Sequence, residues 1–169
     1  MSGLTGRERL QPSLLDRLTD NAPTQKRESF EQQTLTMPQL RNAVLRDMAN
    51  LLNTTNLSTL KDLANFPLAA KSTINFGIPG FAGMIESLGR NMSLERELVE
   101  AIQTYEPRIR RETVRVHAQS IPADGNGTAV VFHIEGELWA KPVPQHLTLE
   151  TAIEVETRVA VVNEIKGAR

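Results

Sequence analysis

Cysteine is absent from the 169 residues. The chain therefore has no disulfides, no thiolate zinc ligands and no thiol nucleophile, and it fits a reducing compartment. No apolar run approaches the roughly 18 residues that a membrane-spanning helix needs. The N-terminal "MSGLTGRERLQPSLL" has arginines but lacks the apolar centre of a secretory signal, so a cytoplasmic protein is the expectation. Charge of one sign is missing too. Nineteen basic and 20 acidic side chains leave a net charge of −1, which gives no bulk attraction to nucleic acid or an anionic membrane. Aromatics are only 4% of residues, so the core has to be aliphatic and stacking platforms for bases are lacking. There is no glycine-rich phosphate loop, because "GIPGFAG" lacks the Lys-Ser/Thr of a P-loop.

What is present fits one domain of ordinary size, residues 37–169, preceded by an arm over residues 1–36. The arm is polar except at "PSLLDRL", where Leu14, Leu15 and Leu18 fall on one side of a short helix that Pro12 can open. Two turns are marginal alone in water. Either this helix packs on its own domain, or it is an apolar anchor on a linker-like segment that a partner buries. "MPQLRNAVLRDMANLLNT" is the clearest helix, with Pro38 in its first turn and a stripe of Leu40, Val44, Met48, Leu51 and Leu52. "LSTLKDLANFP" holds a short helix that stops before Pro67, and "INFGIPGFAG" reads as an apolar loop packed on the core. "SLERELVEAIQTY" is the second strong helix, with Ser93 as its N-cap and a stripe of Leu94, Leu98, Ala101, Ile102 and Tyr105. Pro107 removes a donor and drives Glu106 out of helical geometry, which stops the helix near Tyr105.

Beyond Pro107 the apolar period becomes two. Val114, Val116 and Ala118 share one face of a strand, and Val130, Phe132, Ile134 and Leu138 share one face of the next. Both sets fall on even positions, so antiparallel partners must sum to an even number. Two-residue turns at Asp124-Gly125 or Asn126-Gly127 give odd sums, which favours an odd-length loop such as Gly125-Asn126-Gly127 with Gly127 left-handed. The terminal "LTLETAIEVETRVAVV" alternates for about 15 residues, with Leu147, Leu149, Ile153, Val155, Val159 and Val161 on one face. As one strand it spans roughly 50 Å, so it either bends at a bulge or projects as an edge open to another chain. The predicted architecture is α+β: N-terminal helices, then a three-stranded antiparallel meander with a long C-terminal strand.

"YEPRI" is the stretch with a candidate for chemistry. Glu106 as the general acid of a cell-wall glycoside hydrolase is one reading. Arg108, Arg110 and Arg111 favour the ionised carboxylate, the wrong state for that role, and no second carboxylate stands out. His117, His133 and His146 match no zinc spacing, although His117 and His133 can meet across the hairpin. The basic run is interrupted by Glu112 and has no aromatic partners, which disfavours nucleic acid. A protein that works by contact is left, without metal or cofactor.

Several segments in sequence carry a resemblance. "RNAVLRDMANLLNT", "STINFGIPGFAG", a helix ending in "AIQTYEPRI", "VRVHA" and a long terminal strand together resemble the TssE family. These are baseplate-wedge subunits of type VI secretion, related to lysozyme-like baseplate proteins of contractile phage tails. The likeness covers most of residues 10–162. Its most specific element is Glu106-Pro107-Arg108, supported by Arg41, Val44, Arg46, Asp47 and the Leu51-Leu52-Asn53-Thr54 string, and by Asn75-Phe76-Gly77-Ile78-Pro79. Asn50 stands where family members often carry an aromatic. The resemblance implies a structural protein without enzymatic activity. It implies wedge partners TssF and TssG with TssK nearby, a place around the tube–spike hub, and strand exchange with sheath subunits through strand 147–162. It also gives Leu14, Leu15 and Leu18 a task as an anchor into the wedge. For Glu106, Pro107 and Arg108 the residues themselves leave two compatible readings, a Glu–Arg pair that fixes the helix-to-strand corner and a rigid charged knuckle presented to a partner, with at least one of Glu106 and Arg108 expected to be substantially exposed in the isolated subunit.

Overall fold

The computed structural model describes residues 12–18, 35–80, 91–122, 128–139, 145–154 and 160–165. Helices α1 (Leu14–Leu18), α2 (Met37–Leu52), α3 (Pro67–Ala70) and α4 (Asn91–Tyr105) come first. Strands β1 (Arg115–Pro122), β2 (Thr128–Leu138), β3 (Gln145–Glu154) and β4 (Ala160–Glu164) follow and form one antiparallel sheet in the order β1-β2-β3-β4. The class is α+β as the sequence implies, with four strands in place of three.

Helix α2 begins with a capping box: Gln39 N–H donates to Thr36 Oγ1, and Thr36 N–H donates to Gln39 Oε1 at 2.8 Å. Its buried side is the predicted stripe plus Ala43. Helix α4 starts at Asn91, so Ser93 lies inside it and is not its cap. Leu94, Leu98, Ala101 and Ile102 are buried and Tyr105 is half-buried. The two stripes pack on one sheet face against Phe132, Ile134, Leu147 and Leu149, an aliphatic core with one aromatic ring at its centre. Each such fully buried side chain contributes about 1.5–3 kcal/mol relative to exposure.

Between α2 and α4 the chain forms a 3-10 turn at Leu57–Thr59, and Pro67 opens α3 instead of bounding a helix before it. The loop that follows is partly core, as expected: Ile78 is buried and Phe76 packs against the core, whereas Ile74 is exposed. Residues 81–83 of that loop lie outside the described residues. Ile78 N–H donates to Thr54 O and Asn56 N–H to Ile78 O, which brings the loop backbone against the end of α2. Gly77 permits this approach. Its φ is +121°, and a Cβ there would sit 2.4 Å from Thr54 O.

The β1–β2 register pairs Arg115 with Glu135 and Pro122 with Thr128, so even positions oppose even positions as the parity requires. This register requires an odd-length connection; the loop itself, residues 123–127, and the expected left-handed Gly127 fall outside the described residues. The long terminal strand does not exist as one strand. Its two halves are β3 and β4, which pair antiparallel with Leu149 opposite Glu164 and Ile153 opposite Ala160. These partners sum to an odd number, so the inward odd positions of β3 face inward even positions of β4. Ala160 is therefore buried, and Val161, expected on the core face, is 53% exposed. Val155 and Val159 lie outside the described residues.

Thr151 sits on the inward face of β3, fully buried, with no partner for its hydroxyl. Thr151→Val removes that unmet group at nearly constant shape, and is expected to stabilise by about 1 kcal/mol. It should raise the urea midpoint with an unchanged m-value; an equal or lower midpoint contradicts the placement. Gly77→Ala is expected to destabilise by at least about 1–3 kcal/mol in the same assay, because the left-handed backbone and the Thr54 contact both resist a Cβ.

Candidate functional site

The Glu-Pro-Arg triplet forms the corner between α4 and the sheet. Glu106 N–H makes the last helical bond, to Ile102 O. Pro107 then starts a tight turn closed by Ile109 N–H donating to Glu106 O. That turn brings Arg108 back over Glu106. Glu106 Oε1 accepts from Arg108 N–H at 3.1 Å and from Nε at 2.7 Å, and Oε2 accepts from Nη2 at 2.5 Å. The pair is bidentate, the geometry in which arginine binds carboxylate most strongly.

The same Nη2 donates to Asp47 Oδ2 on α2 at 2.6 Å. Asp47 accepts in turn from Arg46, and Arg46 reaches Asp16 on α1 at 2.6 Å. Five alternating charges thus run from the short N-terminal helix across α2 to the corner. Burial disfavours the charged guanidinium of Arg108, but the hydrogen bonds and negative charge of Glu106, then of Asp47, outweigh it and hold its pKa above the ordinary arginine value. Arg108 Nη1 is buried without an acceptor, a cost that these charge-assisted contacts offset.

After the corner the backbone joins the sheet. Trp139 N–H donates to Arg108 O and Arg110 N–H to Glu137 O, so Ile109 bridges Leu138. A 3-10 turn at Arg111–Thr113 separates this short pairing from β1, and Thr113 Oγ1 fills the gap by accepting from Glu137 N–H. Gly136 lies under Ile109: a Cβ there would come 2.7 Å from Ile109 Cγ2. On the other side of α4, the Tyr105 hydroxyl lies 2.9 Å from Asn75 O and 3.0 Å from Ser72 O, and its ring meets Phe76 edge-on at 5.3 Å. Burial raises the pKa of this hydroxyl.

These positions correct one expectation. Glu106 is 3% exposed and the Arg108 side chain 22% exposed, so neither stands out toward solvent. Asp47 of α2 meets the guanidinium from one side, and the neighbouring Ile109 and its bridge partner Leu138 are themselves buried. Pro107 is the exposed member of the triplet. Both oxygens of Glu106 are committed to Arg108, so it offers no proton to a cleft. The arm behaves oppositely. Ser13 caps α1, and Asp16 of this helix pairs with Arg46 of α2, while Leu14 and Leu18 are 72% and 74% exposed. The Leu15 side chain falls outside the described residues. His117 and His133 are cross-strand partners, with His133 Nδ1 3.9 Å from Glu150 Oε2, and His146 sits apart near Thr148. Among the described residues no group of three His, Asp or Glu side chains is placed to hold a metal.

The family model of the baseplate wedge protein gp25 matches residues 38–143, well over half of the chain. The chain belongs to the baseplate wedge gp25 family. Comparison with curated proteins and with solved structures finds no significant match. The gp25 match runs from Pro38 in α2 through the Glu106–Arg108 corner to β2, and ends before β3. It thus includes every member of the corner network except Asp16. The gp25 family is structural, and the corner has the character of a fold-fixing element. Among the described residues no helix is long and apolar enough to cross a membrane.

The sequence placed Asp47 in the family string but did not reveal its contact with Arg108. Asp47 stands in the Arg46-Asp47 pair beside the apolar stripe of α2, and a charged pair next to a buried stripe was the available signal. Arg108→Ala leaves Glu106 buried without its cation and is expected to cost about 3–5 kcal/mol by urea denaturation. Arg108→Lys keeps the charge, loses the fork and should still cost about 1.5–3 kcal/mol; a lysine variant as stable as the parent contradicts the bidentate reading. At α1 the sign follows from Asp16, whose hydrogen bond to Arg46 holds its pKa below the ordinary 3.8, against burial, with Ser13 assisting. The α1–α2 contact is therefore fully present above pH 3.8 and is lost as pH falls through the lower folded value. Amide shifts of residues 14–18 should show this acid step, and Asp16→Asn should abolish it.

Proposed function

We propose that the chain is the TssE-type baseplate-wedge subunit of a contractile type VI secretion apparatus, working in the cytoplasm as a structural protein. The observation that carries this reading is the baseplate wedge match across residues 38–143, centred on a buried ionic corner. In this role residues 37–169 are the rigid body and residues 1–36 are an arm. Leu14, Leu15 and Leu18 anchor the arm in the wedge proteins TssF and TssG, with TssK nearby. The exposure of Leu14 and Leu18, on a helix whose Asp16 pairs with Arg46 of α2, supports the anchor reading over packing on the parent domain.

Glu106 and Arg108 contribute to binding by fixing the shape that presents Pro107 around the tube–spike hub. The sheet exchanges strands with sheath subunits and so templates the first ring. The strand involved is the β3–β4 pair, since residues 147–162 are not one projecting strand.

The test is co-purification. Wild-type chain should bring down TssF and TssG, and Leu14→Glu with Leu18→Glu should reduce recovery at least tenfold with thermal stability unchanged. Full recovery by the double variant removes the anchor. The alternative, a cell-wall glycoside hydrolase with Glu106 as general acid, requires peptidoglycan turnover that Glu106→Gln abolishes; such turnover by pure protein overturns the structural reading.

A further inference from the structure

Between α2 and α4 the usual order of inside and outside is reversed. No residue from 57 to 74 is buried. Four large apolar side chains of this segment, Leu60, Phe66, Leu68 and Ile74, are 61–87% exposed. Polar bonds brace the segment instead. Buried Asn56 accepts from Thr59 N–H through Oδ1 at 3.1 Å and so caps the turn at Leu57–Thr59. Buried Asn75 accepts from Ser58 N–H through Oδ1 at 2.8 Å and donates through Nδ2 to Ala70 O at 2.9 Å, which joins that turn to α3. The Tyr105 hydroxyl fixes the end of the segment to α4. A loop braced in this way holds its shape while it presents apolar side chains to water. Exposed apolar surface on an ordered element marks an interaction site.

The same segment contains a cleft of about 400 Å³, lined by Ser58, Leu63 and Pro67 and by two opposite charges, Asp62 and Lys71. Asp62 Oδ1 accepts from Ala64 N–H at 2.9 Å, which holds the carboxylate in place. Among the described residues neither Asp62 nor Lys71 has an ion-pair partner. A face that carries an acid, a base and apolar groups together is its own complement. A two-fold axis sets the acid of one copy against the base of the other, twice. The four apolar side chains offer on the order of 500 Å² in each copy, so a two-fold pair that covers them reaches the roughly 1,000 Å² that a specific interface needs.

We propose that residues 57–74 form a self-docking face, and that its occupant is a second copy of this chain in a two-fold dimer of the free subunit. Leu68 of each copy enters the cleft of the other, and Asp62 of each faces Lys71 of the other. The dimer withdraws the apolar face from water. It uses none of the residues assigned above to wedge contacts, so the wedge reading and this one fail separately.

Sedimentation equilibrium on the full chain at micromolar concentration tests the pairing. The wild-type chain should fit a monomer–dimer equilibrium. Leu68→Glu should weaken it at least tenfold with thermal stability unchanged, because this side chain is exposed in the single subunit. Asp62→Lys and Lys71→Asp should each weaken self-association at least tenfold, since each sets like charges against each other at both contacts. An equimolar mixture of these two variants should recover the wild-type affinity, because both contacts are then attractive again. A dimer that Leu68→Glu leaves intact overturns the face. Variants that stay monomeric when mixed overturn the two-fold pairing. A monomeric wild-type chain overturns the proposal, including the case in which Leu68→Glu instead lowers recovery of TssF and TssG and so gives the face to a wedge protein.

Discussion

The bidentate pair of Glu106 and Arg108 sets the geometry on which the remaining contacts depend. It forms where α4 must stop and the chain must turn onto the end of β2. Proline supplies the stop and the fixed φ of the turn. The carboxylate then holds both the backbone and the guanidinium of the residue two places on. Asp47 extends the pair to α2, so one guanidinium ties the two main helices and the sheet corner together. Burying such a pair is not efficient stabilisation, since apolar residues of equal volume often do as well. Its advantage is directional: a fork that must meet two carboxylates admits one arrangement of three elements, where apolar contact admits several.

From that corner the rest of the molecule divides into closed and open surfaces. Ile109 lies over Gly136 and seals the sheet beneath the corner. Tyr105 and Phe76 fix the glycine–proline loop against α4. Glu95 and Asn53 occupy backbone groups at the two sheet edges. Against this closed body stand the exposed Leu14 and Leu18 of α1, a helix joined to α2 by the Asp16–Arg46 ion pair. A subunit that joins several neighbours benefits from that division: a body that does not deform, and contacts that can be given up to a partner. In the proposed wedge role, specificity resides in the second set and the first set only positions it.

How much of this could be read from the sequence follows the physical signals available. The α2 and α4 stripes and the even-positioned faces of β1 and β2 were legible because one face of each is buried, which imposes a period. Parity also gave the odd-length connection between β1 and β2. It misled at the C-terminus. Residues 152–161 contain no glycine, proline, asparagine, aspartate or serine, so nothing in "AIEVETRVAV" announces a reversal. Alternation continues across the join, and only the pairing reveals that the inward parity switches between Leu149 and Ala160. The corner was legible as a helix stop, but its burial was not, because the covering group Asp47 is 59 positions before Glu106 in the chain (106 − 47). Asn53 was visible within the Leu-Leu-Asn-Thr string, yet its bond to a strand edge more than a hundred residues later leaves no local mark.

The account stands on the corner acting as one buried, mutually dependent unit. A double-mutant cycle on Glu106→Gln and Arg108→Met, measured by urea denaturation, tests it most directly. The costs of the two single changes should sum to more than the cost of the double change, by a coupling energy of about 2–3 kcal/mol, the upper range for residues sharing one network. A coupling energy within about 0.5 kcal/mol of zero would show that the two side chains act independently, and the corner would then owe its shape to proline and apolar packing alone.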